Sequence, residues 1–322
     1  MMGNNLKAEC ENENAMSELI IEYPVCANDG RELLPAQTVL SDENLKKMIS
    51  GNQSPIRTGR LLDFGSIKSD ILEFLDQDNY LAVFDNKETR QRLMARMMKA
   101  ELPLPVLESI YFFREYDFYT YRHLLTVSAL STLLAEYLVK DRISMMDDIV
   151  GPPSHDIGKI AVPVDILNKQ TPLTSDEYKI LRHHTLTGYV LLCYYFRDPV
   201  NITARVARDH HERKDGSGYP RGIIIDDTMI ELVIISDIFD ALVSSRPYRP
   251  SSYDKRTALE EITGMAEKGQ VSWNVVKALI NQNRKKRVSI GDCLVSLEKR
   301  GVPPPDNLYG MIADKNLCKP KK

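Results

Sequence analysis

Six histidines stand in the 322 residues, all between positions 123 and 211: His123, His155, His183, His184, His210 and His211. Two of these positions carry acidic neighbours, in His155-Asp156 and His210-His211-Glu212. Imidazole and carboxylate together can hold a divalent metal or pass protons, and the helices of one bundle can bring distant positions to one centre. In His155-Asp-Ile-Gly-Lys159 two adjacent donors precede a glycine, which allows a tight turn that returns Lys159 to the same place. Taken alone, such a motif is equally a helix terminus with a glycine cap. His123 shares a helix face with Val127 and Leu130, where a hydrogen-bonded core histidine is the commoner arrangement. Asp237, among Val233, Ile234 and Ala241, is a carboxylate set among aliphatic side chains. It needs a cation, a metal or a set of donors, and a structural salt bridge meets that need too.

The stretch from His210 to Pro220 ends a helix and opens a loop with Gly216 and Gly218, whose backbone can approach a phosphate or base closely, beside Tyr219. Arg246 and Arg249 follow the segment bearing Asp237, where two guanidiniums can grip a phosphate or simply be solvated. The five cysteines are scattered, odd in number and never spaced as CxxC, so no thiolate accompanies the nitrogen and oxygen donors. That donor set suits manganese, iron or zinc in a hydrolytic centre. Two such metals sharing a carboxylate form a general device for phosphate-ester displacement.

A helical scaffold is expected to carry these residues. Apolar spacing predicts helices over residues 116–140, 145–150, 201–211, 229–245, 253–268 and 273–281. The capping box Thr174-Ser-Asp-Glu177 starts another, expected to run to residue 196. Residues 1–16 read as a disordered terminus. Residues 17–100 read as a small α+β accessory domain, with a strand over 19–25, a turn at Asn28-Asp29-Gly30, and helices over 42–49, 67–75 and 88–99. The proline-containing stretch Glu101–Pro103 and its continuation to Pro105 reads as a linker. Residues 101–300 form the helical domain and 301–322 a basic, solvated tail. The fold class is mainly α, an all-helical domain preceded by the small α+β one.

Lys and Arg number 42 against 45 Asp and Glu, a net charge of −3 that argues against coating a nucleic acid polymer. No stretch approaches the roughly 18–20 apolar residues of a membrane span. The polar, acidic N-terminus is neither a signal nor a transit peptide, and a reducing cytoplasm is the expected location.

From about residue 105 to 281 the chain resembles the HD-GYP family of HD-domain metal-dependent phosphohydrolases. The resemblance lies in His155-Asp-Ile-Gly-Lys-Ile160, Val162-Pro-Val-Asp-Ile-Leu-Asn-Lys169, Leu173-Thr174 and His184-Thr-Leu-Thr-Gly188. It continues through His210-His-Glu212, Asp215-Gly-Ser-Gly-Tyr-Pro220, Asp237-Ile-Phe-Asp-Ala-Leu242 and Arg246-Pro-Tyr-Arg249. It implies a cyclic-di-GMP phosphodiesterase with two divalent metal ions, iron or manganese, that gives linear pGpG, GMP or both. Carried over, one metal takes His123, His155, Asp156 and Asp237. The other takes His184, His210 and His211, with Asp156 bridging and an activated hydroxide attacking phosphorus. Asp156 and Lys159 are then the catalytic pair, Lys159 stabilising phosphoryl charge. Gly218, Tyr219, Arg246 and Arg249 bind the nucleotide, and His183 is structural.

Tyr119 stands where some relatives have a glutamate for a third metal, so two metals are expected. Gly151-Pro-Pro-Ser154 should end the preceding helix and leave the His-Asp pair at a helix start or turn. A cyclic-di-GMP receptor that does not cleave, or a hydrolase of another nucleotide, are the competing expectations. A second copy of the chain and a diguanylate cyclase (GGDEF) or other signalling protein are the partners considered.

Overall fold

The computed structural model describes residues 19–52, 55–139, 152–246, 249, 251–305 and 312–314. The expected disordered terminus and the expected helix over 145–150 lie outside these.

The N-terminal part is small strands and short helices. Strand β1 (Ile20–Ile21) pairs antiparallel with β4 (Thr38–Val39), and β2 (Val25–Cys26) with β3 (Glu32–Leu34). The single strand expected over 19–25 is therefore two, and Pro24, which has no N–H to give a ladder, stands between them. Gly30 makes the β2–β3 turn with φ +81°, a conformation open to glycine. Helix α1 (Asp42–Ser50) is capped by Ser41, whose hydroxyl accepts the Asn44 N–H. Helices α2 (Ile67–Leu75), α3 (Asp78–Phe84) and α4 (Lys87–Met97) follow. The expected linker is instead strand β6 (Glu101–Pro103), paired antiparallel with β5 (Thr58–Arg60). Leu102 is buried there, and burial outweighs the loop preference of the prolines.

The helical part begins with α5 (Leu104–Tyr116) and α6 (Phe118–Leu138). The helix expected over 116–140 is α6, which starts two residues later because Asp117 caps it: its carboxylate accepts the Thr120 N–H at 3.1 Å. After the 3-10 turns Pro152–Ser154 and Ile157–Ala161 come α7 (Val164–Leu167), α8 (Ser175–Arg182) and α9 (His184–Phe196). The capping box at Thr174 and Glu177 is formed, with each side chain bonded to the other's backbone. The helix it starts stops at His183, and a new one begins at His184, so the run expected to residue 196 is two helices. Helices α10 (Ile202–Asp209), α11 (Thr228–Val243), α12 (Lys255–Glu267) and α13 (Trp273–Gln282) complete the order.

Helices α6, α9 and α11 are buried nearly all round, which places them at the centre rather than on a surface. Their apolar side chains share one core with the N-terminal part, from Ile21, Leu45 and Phe74 through Leu130 and Val190 to Phe239 and Leu279. Polar contacts cross the same boundary: Asn28 Nδ2 donates to Ser109 Oγ at 2.9 Å, and Tyr121 donates to Asp70 at 2.7 Å. The C-terminal tail is not wholly solvated either. Ile312 bridges to Leu173, and Asp314 accepts the Ser175 N–H at 3.0 Å at the start of α8.

Gly158 has a different use from the turn the sequence suggests. Its φ is ordinary, but a Cβ there would lie 1.9 Å from the His184 carbonyl oxygen and 2.5 Å from the Gly188 nitrogen. Glycine at both 158 and 188 lets the turn after Asp156 press against α9. Neither contact is with a side chain that can move aside. Gly158→Ala is therefore expected to destabilise the protein by about 3 kcal/mol, the upper end of overpacking costs. Denaturant unfolding checks this, and an unchanged midpoint would refute the close packing.

Candidate metal centre

His123 comes from α6, His155 and Asp156 from between the two 3-10 turns, and His184 from the first position of α9. His210 caps the end of α10, His211 follows it, and Asp237 comes from the middle of α11. The pair His155-Asp156 thus sits in a turn, as the adjacent prolines lead one to expect. In these positions the donor atoms of Asp156, His184, His210 and His211 lie within 4.8 Å of one another, and those of His123, His155 and Asp237 likewise.

Asp156 stands between the two groups. Its Oδ1 is 3.1 Å from His184 Nε2 and 3.4 Å from His210 Nε2. Its Oδ2 is 3.7 Å from His123 Nε2 and 3.6 Å from His155 Nε2. Lys159 Nζ also reaches Oδ2, at 2.5 Å. Burial would raise the Asp156 pKa, but the adjacent Lys159 ammonium helps to outweigh it and the carboxyl is held well below its usual range. Burial disfavours the Lys159 ammonium, and Asp156 more than offsets this.

Tautomers follow from what each Nδ1 meets. His123 Nδ1–H donates to Asp240 Oδ2 at 2.6 Å, His184 Nδ1–H to the Leu181 carbonyl, and His210 Nδ1–H to the Ala207 carbonyl at 2.9 Å. These acceptors have no proton to give, so Nδ1 carries one; in His184 and His210 Nε2 then presents its lone pair inward, while His123 Nε2 lies 3.0 Å from Asp237 Oδ1. His184 and His210 then face each other Nε2 to Nε2 at 3.4 Å, and His155 and His123 at 3.3 Å. Lone pairs at that distance repel unless a proton or metal ion sits between them. Burial pushes His155 down to about 3, lowers His184, and takes His211 well below its ordinary value, so these rings stay neutral near pH 7. At His123 burial acts the same way, but the Asp240 and Asp237 carboxylates outweigh it. Neutral imidazole nitrogens and ionised carboxylate oxygens, with no thiolate among them, fit first-row divalent metals.

Asp240 is the residue that sequence reading missed. It is fully buried and accepts from His123, from Arg122 at 3.1 and 3.3 Å, and from the Tyr80 hydroxyl of α3. Its signal was present: it lies three residues after Asp237 on one helix face, a second acid in an otherwise apolar segment. Glu212 was also unassigned. Buried, it accepts the backbone N–H groups of Arg221, Gly222 and Ile223 at 2.6, 3.1 and 3.2 Å and so ties down the loop that carries Tyr219.

The residues expected to bind nucleotide divide. The Tyr219 ring stacks on His211 with centroids 4.7 Å apart, and the exposed Arg182 guanidinium lies 4.2 Å above the Tyr219 ring. Arg246 lies 4.7 Å over the ring of Tyr119, which stacks on His123 at 5.7 Å, so both are beside the centre. Arg249 is not at its mouth. It is 1% exposed and donates to the carbonyls of Ala241, Leu242 and Ser244, closing the end of α11. Those carbonyls have no partner within the helix, which is why the guanidinium turns inward. Gly218 serves packing, because a Cβ there would lie 2.3 Å from the Glu212 Cα. His183 stays outside the centre, its Nδ1 3.1 Å from Thr187 Oγ1 and its ring edge-on to Tyr23.

Comparison with known proteins agrees with this geometry. The family model described as "HD domain" matches residues 119–271. A cyclic di-GMP phosphodiesterase of Thermotoga maritima is 36% identical over 184 residues, 56% of this chain and 49% of that protein. The cyclic di-GMP phosphodiesterase response regulator RpfG of Xanthomonas campestris is 38% identical over 125 residues, 38% of this chain and 33% of that one. A 3'3'-cGAMP-specific phosphodiesterase 2 of Vibrio cholerae is 38% identical over 120 residues, 37% of this chain and 22% of that one. The chain thus spans about half the length, or less, of these relatives. Among the described residues no helix is long and apolar enough to cross a membrane. Residues 119–271 thus match an HD domain, with His and Asp clusters placed where they could hold divalent metal, and the chain is similar to named cyclic di-GMP phosphodiesterases.

Proposed function

We propose that this chain is a metal-dependent phosphodiesterase that hydrolyses cyclic-di-GMP to linear pGpG, GMP or both. The observation that carries this is the position of Asp156, with one carboxylate oxygen turned to each imidazole group. His123, His155, Asp156 and Asp237 would hold one ion. His184, His210 and His211, with the second oxygen of Asp156, would hold the other. Iron or manganese is the expected metal, in keeping with an all nitrogen and oxygen donor set. Bound divalent ions supply Lewis acidity, which lowers the pKa of water and neutralises phosphoryl charge.

The remaining work falls to side chains. Lys159 keeps a positive charge at the lip of the centre, where it can meet charge developing on the phosphoryl oxygens. Arg246 approaches from the Tyr119 side and offers a planar fork for phosphate. Tyr219, fixed against His211, offers a ring edge and hydroxyl to the base or ribose. Burial of the donors keeps bulk water from screening these charges. The cGAMP-specific relative is as similar as the cyclic-di-GMP ones, which makes a mixed cyclic dinucleotide the second reading.

Purified protein supplied with Mn²⁺ or Fe²⁺ under anaerobic conditions should convert cyclic-di-GMP faster than 3'3'-cGAMP, and His155→Ala and Asp156→Ala should each abolish turnover. Binding without product under every metal and redox state would establish a receptor instead. Asp240→Asn keeps the size of the acceptor but weakens its hold on His123. It should lower metal affinity about 10–100-fold by competition with a chromophoric chelator, as loss of an outer carboxylate partner does. An unchanged affinity would remove Asp240 from the account.

A further inference from the structure

Away from the metal centre, a cleft of about 330 Å³ lies where the N-terminal part meets the end of α9. Its size is at the lower end of small-molecule sites. Three guanidiniums line it, from three separate segments: Arg31 after the β2–β3 turn, Arg57 before β5, and Arg197 at the end of α9. Arg31 is already shared between Asp29 at 3.1 Å and the Tyr194 hydroxyl at 3.2 Å. Arg57 is exposed and has no acidic partner among the described residues. Arg197 has a contact at 3.4 Å to Asn52, while its Nε is buried and meets no acceptor among the described residues. The opposing charges are Asp29, used by Arg31, and Glu108, so the balance is positive.

Arg197 also holds a backbone conformation that disfavours it. Its φ is +55° and ψ +34°, the left-handed region, where glycine is the usual residue after a helix. A guanidinium is thus held in the cleft at a conformational cost, with a buried donor left over. Such outliers cluster at ligand sites. The floor is firmly built: the Tyr195 hydroxyl donates to Asn28 Oδ1 at 3.0 Å and accepts the Asn28 N–H at 2.9 Å. Tyrosine rings and Ile56 give the remaining wall an apolar face.

We infer that this cleft binds a small phosphate ester carrying a flat ring, a ligand of mononucleotide size. Its phosphate pairs with Arg57 and Arg197, where planar guanidiniums match phosphate geometry, and its ring lies against the tyrosines. The site shares no residue with the metal centre. The two are joined through α9, which begins at His184 and ends beside Arg197.

Calorimetric titration of 5′-GMP into the metal-free full chain tests this, with no dependence on hydrolysis. One equivalent should bind. Arg57→Ala and Arg197→Gly should each weaken binding about tenfold or more, equivalent to about 1.4 kcal/mol. Glycine adopts the left-handed region freely, so Arg197→Gly should keep its melting temperature, and its lost binding would not reflect unfolding. His155→Ala should bind as the wild type does. Absence of binding, or binding lost in His155→Ala and kept in both arginine variants, would overturn the site while leaving the phosphodiesterase proposal standing.

Discussion

A single buried carboxylate sets the terms for the rest of the structure. Asp156 lies between two groups of imidazoles with one oxygen toward each, and it stays ionised only because positive charge surrounds it. Lys159 supplies part of that charge within the chain, at 2.5 Å. The inward lone pair of the neutral His184 ring supplies none, and so calls for a further cation. A carboxylate buried this deeply without such compensation would cost several kcal/mol.

The scaffold itself orients the imidazoles. Each of His123, His184 and His210 uses Nδ1 on an acceptor of the chain itself, which sets ring orientation before any ion arrives. Around His123 this support reaches into the N-terminal part, because Tyr80 and Arg122 converge on the same Asp240. The α+β segment is therefore joined to the centre through buried polar contacts as well as through a shared core. Gly158 and Gly188 contribute by what they lack, allowing the Asp156 turn to close on α9.

Much of this was legible in the sequence, and the gaps have physical causes. Helices with strong apolar period or clear caps, such as α1, α2 and α13, appear close to their expected bounds. A break inside a long run was not foreseen: His183 interrupts the pattern from Thr174 to Phe196 that reads as continuous, since periodicity does not register a change of direction. The seven expected donors do converge, in two groups with Asp156 between them. Arg249 could not be told from Arg246 by type or spacing. Only the fold reveals that one serves helix carbonyls while the other faces the centre. Asp240 was hidden for a similar reason, since its partners come from α3 and α6, far away in the chain.

Anomalous diffraction at the manganese edge, from crystals of the full chain grown with Mn²⁺, tests the central claim most directly. The account predicts two anomalous peaks on opposite sides of the Asp156 carboxylate, one beside His123 and His155 and one beside His184 and His210. A single peak, or peaks remote from Asp156, would contradict it.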